Sequence, residues 1–600
     1  KADRVDLDAR HVLGLWSASG ALGFSEDTGV GVGVAVNQVT SDIQALIGDN
    51  RQWRALSGTG ALGVKSTWSV DELDLQATSS GQSSAFSLAG GVARTDKEKQ
   101  DADTANQDAS GGALSKATTL LEAVTQGVSN VLAEAKAKWN QVKSLLDDDP
   151  TRTGNIPESA LAASGSASVN VSRQTTRARI ADIVLDPRDP SKGSKVSVLA
   201  LNQTHQLSGS GAGALTLAKN GNQSQTSSAI SGAIGANLLA NVTSAEVVNS
   251  TFSSSDVLKV QAATDGDLIA MGLGLSAATS GSQSNKAIAL SGSYADFGNT
   301  TQALLQNSTV TGRQTAPGLI QVLAYDRSRA LLGGGAFAGS TDKGSASGGA
   351  VTLGNFHNTI SAAWLGSTAS TFATLDVGAY SATQTLVAAL GAAVSGASGE
   401  ANSGSIVGAY LDNQVSARID GYTPAGGSLK TSSLTGAAVN LQARSVSSLS
   451  DLDSQFDSNA SDTFAGIGVD AEDTLGNVSV DADTSAGQQA NSSQSLFDGK
   501  VSGEAIIAVA GSLATSGKSS GGASFAMIYA GSDYLASMAN VTTDLSGALQ
   551  VQAYNATETL AIAVGVAGSD SADSIVGSGT AVIDRGTVKA QIIGTATSHS

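Results

Sequence analysis

One short pattern, apolar-x-apolar-x-Ala, returns along the 600-residue chain, and any fold must give each copy an equivalent place. The copies are Leu73 to Ala77, Val196 to Ala200, Leu258 to Ala262, Ile320 to Ala324, Leu375 to Ala379, Val439 to Ala443, Val478 to Ala482 and Leu549 to Ala553. Their alanines lie 123, 62, 62, 55, 64, 39 and 71 residues apart. Taking 123 as two periods, and 39 with 71 as two more, gives a unit near 60 residues. A repeat of that size marks an array of stacked supersecondary units. Within each copy the apolar residues alternate with period 2, which is the signature of a strand with one buried face.

Further elements share the period. Ile269, Met271, Leu273, Leu275 and Ala277 fall on one face of a second strand, and Ala270, Gly272, Gly274 and Ser276 on the other. Asn241, Asn299, Asn358 and Asn413 each precede an alanine by four residues and are spaced 58, 59 and 55 apart, with Ser532 in the same place later. The fold expected is all-β, a right-handed parallel β-helix (β-solenoid) with Leu, Val and Ile facing inward. Val198, Val260, Val322, Val377, Leu441 and Val551 should then stack in equivalent inward positions, one coil per ~4.8 Å. The recurring asparagines are read either as a buried amide ladder or as exposed turn residues. Outer-membrane barrels need aromatic girdles, and aromatics are only 4% of this chain. Immunoglobulin-like domains run nearer 100 residues and leave the period unexplained.

From Thr95 to Pro157 the alternation stops. Leu114, Leu121, Val128, Val131, Trp139, Val142 and Leu146 follow helical spacing, which Pro150 ends. The organisation expected is therefore solenoid over 1–94, a helical insertion over 95–157 and solenoid again over 158–600. Its later units lie near 203–264, 265–326, 327–381, 382–445, 446–502, 503–555 and 556–600. The abrupt termini read as those of an excerpt from a longer protein.

Composition narrows the function classes. Charged residues make up 14% and the net charge is −18, without basic blocks, so nucleic acid is not an expected partner. There is no cysteine, hence no disulfide scaffold or thiolate metal site. His11, His205, His357 and His599 share no motif and read as surface residues, and no P-loop, nucleophile elbow or dinucleotide fingerprint occurs. The chain is expected to be no enzyme and to need no cofactor. Acidic residues crowd between Arg444 and Lys500 without a base among them. There Asp481 and Asp483, with Asp451 and Asp453, read first as a solvated acidic face and second as hard-oxygen ligands for Ca²⁺.

The run Ile506-Ile-Ala-Val-Ala-Gly-Ser-Leu-Ala-Thr-Ser-Gly517, a second small-residue strand and then Leu-x-Val-x-Ala resemble the large repetitive exoproteins of Gram-negative bacteria. These are the filamentous-haemagglutinin-like and leukotoxin-like filamentous adhesins. The resemblance is one of repeat style over most of the chain and carries over no functional residue. It implies a β-helix stalk, exposed on the cell surface or secreted through the outer membrane by a transporter. It further implies a role in adhesion, biofilm cohesion and virulence. Partners expected on that basis are polysaccharide, host or neighbouring-cell surfaces, and other copies of the chain. The rival readings are a β-helix polysaccharide-active enzyme, a lyase or glycosidase, which needs acidic, basic and aromatic side chains to converge in one cleft, and a polysaccharide-binding matrix protein without catalysis.

Overall fold

The structure is a computed structural model. It describes residues 1–25, 28–48, 65–95, 159–189, 191–218, 226–279, 285–341, 343–446, 504–594 and 596–599. Among them are 28 strands and no helix, in two 14-stranded sheets. Every strand–strand pairing within these sheets is parallel, because each strand pairs with its equivalent one coil before and one coil after.

Eight coils wind between the two sheets. The first runs through Ala2–Ser25 in one sheet, the front, and Thr28–Ile47 in the other, the back. The second uses Ser66–Thr95 and Ser159–Ala181. The fourth is representative: Thr251–Thr279 in front, then Lys286–Phe297 and Thr300–Gln306 behind. Ala596–His599 begins a ninth. At about 4.8 Å per coil, eight coils rise roughly 38 Å. The front strand of one coil, 29 residues long, has a contour of about 96 Å at ~3.3 Å per residue. The described solenoid is therefore broad across its axis and short along it, and it gains length only by adding coils.

The alternating pattern becomes columns of stacked side chains. Leu75, Val198, Val260, Val322, Val377, Leu441 and Val551 pair in succession, each with the next. All point inward, and every one but the half-buried Val551 is at most 1% exposed. Ala77, Ala200, Ala262, Ala324, Ala379, Ala443 and Ala553 form the adjacent column, which Ala9 extends to the first coil. This pairing corrects the interval arithmetic. Ala77 pairs directly with Ala200 and Ala443 directly with Ala553, so 123 and 110 residues are each one coil with a long link, not two repeats. The links are residues 96–158 and 447–503. The proposed helical insertion, the copy Val478 to Ala482 and the unit 446–502 therefore lie outside the described residues, apart from residues 95 and 446 at their edges.

Each coil has two arms with different interiors. In the first arm Leu258, Val260 and Phe252 pack against Val247 and Leu305, an aliphatic core. In the second arm Ala270 and Ala278 face Ala287 and Ala289, with Leu239, Phe297 and Phe356 at its inner end. Here the expected orientation is reversed. Ala270, Gly272, Gly274 and Ser276 point inward, whereas Ile269, Met271, Leu273 and Leu275 point outward. The physical reason is the close approach of the two sheets. A Cβ on Gly272 would lie 2.3 Å from the Gly292 carbonyl oxygen, and one on Gly274 as near the Leu290 oxygen. Glycine, alanine and serine fill most of the positions where the backbones run that close.

Candidate functional site

Between the two apolar cores runs a seam of buried polar side chains. On the front sheet it is the column Ser79, Asn202, Thr264, Asp326, Ser381 and Ser445. Opposite, the back sheet breaks between its two strands, and there Asn241, Asn299, Asn358 and Asn413 sit at most 1% exposed. They are no exposed turn residues. Each Oδ1 accepts a hydrogen bond from the main-chain N–H one coil earlier: Gln174 to Asn241 at 3.0 Å, Asn241 to Asn299 at 3.1 Å, Asn299 to Asn358 at 3.0 Å and Asn358 to Asn413 at 2.9 Å. Ser532 Oγ accepts from the Asn413 N–H at 3.2 Å. The ladder is thus side chain to backbone, where an amide-to-amide ladder was the expectation. It satisfies donors that the strand break leaves unpaired, which a buried backbone requires.

An amide-to-amide ladder exists elsewhere, and sequence reading missed it. Asn37 Nδ2 donates to Asn170 Oδ1 at 3.0 Å, and Asn170 Nδ2 to Asn237 Oδ1 at 2.9 Å. The available signal was the 67-residue step from Asn170 to Asn237, equal to that from Gln174 to Asn241.

Two carboxyl groups are sealed in the seam. Asp326 accepts from Ser328 Oγ at 2.8 Å and Thr301 Oγ1 at 3.1 Å. Burial pushes its pKa up to about 7, against those two hydrogen bonds, which oppose the rise. Glu504 accepts from Ser381 Oγ at 2.7 Å and Asn413 Nδ2 at 3.0 Å. Burial raises its pKa also.

On the outer face of the same front-sheet segment lies a second cluster, again buried. Arg327 grips Asp265 with both Nε, at 2.7 Å, and Nη2. Arg329 grips Asp267 at 2.6 and 2.7 Å, and His205 Nδ1 lies 3.0 Å from the Asp267 carboxylate. For Asp267 burial acts to raise the pKa, but the hydrogen bonds and charges of His205 and Arg329 outweigh it and hold the group well below the ordinary carboxylate range. Leu199, Leu201, Leu323, Tyr325 and Tyr380 pack beside these pairs. Asp265 and Asp267 each stand 62 residues before their arginine, the interval from Ala262 to Ala324, so opposite charges meet in adjacent coils. In sequence His205 stands alone and reads as a surface residue; its position one coil before Asp267 brings it to this cluster.

Acidic, basic and aromatic side chains therefore do converge on one face. Their chemistry is constrained by their pairing. A carboxylate clamped by a bidentate arginine stays ionised and cannot donate a proton. Asp326 and Glu504, the two seam carboxyls whose pKa burial raises, are at most 1% exposed and point into the seam. Asp451, Asp453, Asp481 and Asp483, the Ca²⁺ candidates, lie outside the described residues. Among the described residues no three His, Asp or Glu side chains are grouped as metal ligands would be. His357 stands 3.5 Å from Asp296 on the back sheet, next in sequence to the seam residue Asn358.

Compared with protein-family models, curated proteins and solved structures, the chain matches none.

Proposed function

We propose that the chain contributes coils to the elongated stalk of a surface-exposed or secreted adhesin that mediates attachment, cell–cell cohesion or biofilm formation and reaches the outside through an outer-membrane transporter. The observation that carries this reading is the coil-by-coil register: equivalent residues recur along one axis in every coil. A surface built so repeats each contact at a fixed spacing, and many weak contacts sum to avidity where geometry allows simultaneous engagement. The exoprotein-like repeat style supports the same reading, with polysaccharide or a cell surface as the partner. Ca²⁺ bridging between acidic faces around Asp481 and Asp483 belongs to the proposal as a modulator of cohesion.

The second reading, a polysaccharide-active enzyme, rests on the convergence of Asp265, Asp267, Arg327, Arg329 and His205. One experiment separates the two. The purified chain is incubated with a panel of acidic and neutral polysaccharides, and both retention and sugar release are measured. Retention without release is the expected result. Reducing-end or unsaturated-sugar release above a buffer control, abolished by Asp267→Asn in a folded variant, overturns the adhesin reading in favour of the enzyme.

A further inference from the structure

We infer that the outer face of the front sheet's second arm is a docking surface for a second copy of this chain, packed sheet on sheet. The inference stands on this face alone and is independent of the adhesin reading.

The face is a lattice of five outward positions in each of eight strands. In the fourth coil they are Ile269, Met271, Leu273, Leu275 and Ala277, in the fifth Leu331, Gly333, Gly335, Phe337 and Gly339, and the other coils follow by register. None of the forty is charged in a chain of net charge −18, and only Ser84 and Thr515 are polar. Large members are well exposed: Leu390 46%, Leu513 39%, Val564 49% and Val566 49%. Nine residues at ~3.3 Å by eight coils at ~4.8 Å give roughly 1,100 Å² of apolar face. A standard protein interface takes about 800 Å² from each partner, and the largest apolar patch on an ordinary monomer is about 300–600 Å².

The shape of this face selects the partner. One column reads Leu88, Gly211, Leu273, Gly335, Leu390, Gly511 and Val564. Each leucine leans over the glycine of the next coil, where an added Cβ would meet its Cδ1 at 3.0–3.1 Å. The side chains thus lean along the axis and fill the space over each glycine, on strands spaced about 4.8 Å apart. An apolar sheet face of that strand spacing is complementary to another such face, packed at about 10 Å. A second copy supplies one with no charge to desolvate.

The test is sedimentation velocity on the full chain over a range of concentrations. Wild type should associate reversibly, more strongly as sulfate is added, and Leu390→Lys with Leu513→Lys should weaken association at least tenfold. Leu390→Ser, which keeps the site neutral and small, should weaken it less and confirms that the lysines act at the face. Ile406→Lys, on the outer face of the back sheet, should leave association unchanged. Far-UV circular dichroism verifies the fold of each variant. A wild type that stays monomeric at every concentration overturns the proposal, as does association lost in Ile406→Lys and kept in the double variant. Flotation with neutral phosphatidylcholine vesicles, lost in the double variant while the chain alone stays monomeric, would assign the face to lipid instead. None of these results bears on polysaccharide retention, so this inference and the adhesin reading fail separately.

Discussion

Replacing Asp326 with asparagine should stabilise the protein above neutral pH. The carboxyl lies in the seam with an ordinary pKa of 3.8 raised to about 7 by burial. Below about pH 4 both folded and unfolded chains hold the proton and the site contributes no pH dependence. As pH rises from about 4 to 7 the unfolded chain releases the proton while the folded chain keeps it, so stability falls. At about 1.4 kcal/mol per pH unit the loss accumulates to about 4 kcal/mol and is complete above pH 7. Asparagine has nearly the same shape and no proton to lose. Its Oδ1 can accept from Ser328 Oγ, and the Thr301 hydroxyl, 2.6 Å from that of Thr264, can rotate to accept from Nδ2. The assay is thermal unfolding by circular dichroism at intervals from pH 4.5 to 8 for both proteins. Glu504 contributes a slope of the same sign to each, and because its charge also acts on Asp326, the difference between the curves reports Asp326 together with that coupling. The variant's advantage should grow through this window and level off above pH 7. Parallel curves, or a variant less stable at pH 8, would refute the reasoning and mean that the carboxylate is solvated or paired where it sits.

Asn358→Ala should cost more than Asn299→Ala. The first leaves the buried Asn299 N–H without its acceptor and removes the 3.0 Å bond to Ser328 Oγ, about 1–3 kcal/mol for the orphaned donor alone. Asn299 Nδ2, facing Gly266, has no partner to lose; hydrogen exchange of the neighbouring coils, compared between the variants, checks the order. Residues 96–158 should be replaceable by a seven-residue Gly/Ser bridge. The equivalent link one coil later runs from Ala218 to Thr226, and the flanking strands keep all their pairings. A remainder that no longer melts cooperatively would show the segment to be integral.

The first arm was readable from the chain itself because stacking imposes two conditions visible in sequence, a period of two along each strand and a constant interval between strands. Val198, Val260, Val322 and Val377 meet both, and their place in the core follows. Asp265 with Arg327 and Asp267 with Arg329 meet the same 62-residue interval, so their pairing was latent there too. The recurring asparagines marked a corner, but a one-dimensional pattern does not distinguish an exposed turn from a buried one whose Oδ1 serves the coil before it. Nor does an interval of 123 residues reveal whether it holds two coils or one coil and a long link; only the pairing of Ala77 with Ala200 decides. The second arm depended most on tertiary structure. Alternation shows that the faces of Leu268 to Ala278 differ, not which of them is inside. The approach of Gly272 to the Gly292 carbonyl decides it: with the backbones that close, the interior takes mostly small side chains, and Ile269, Met271, Leu273 and Leu275 are driven to the surface.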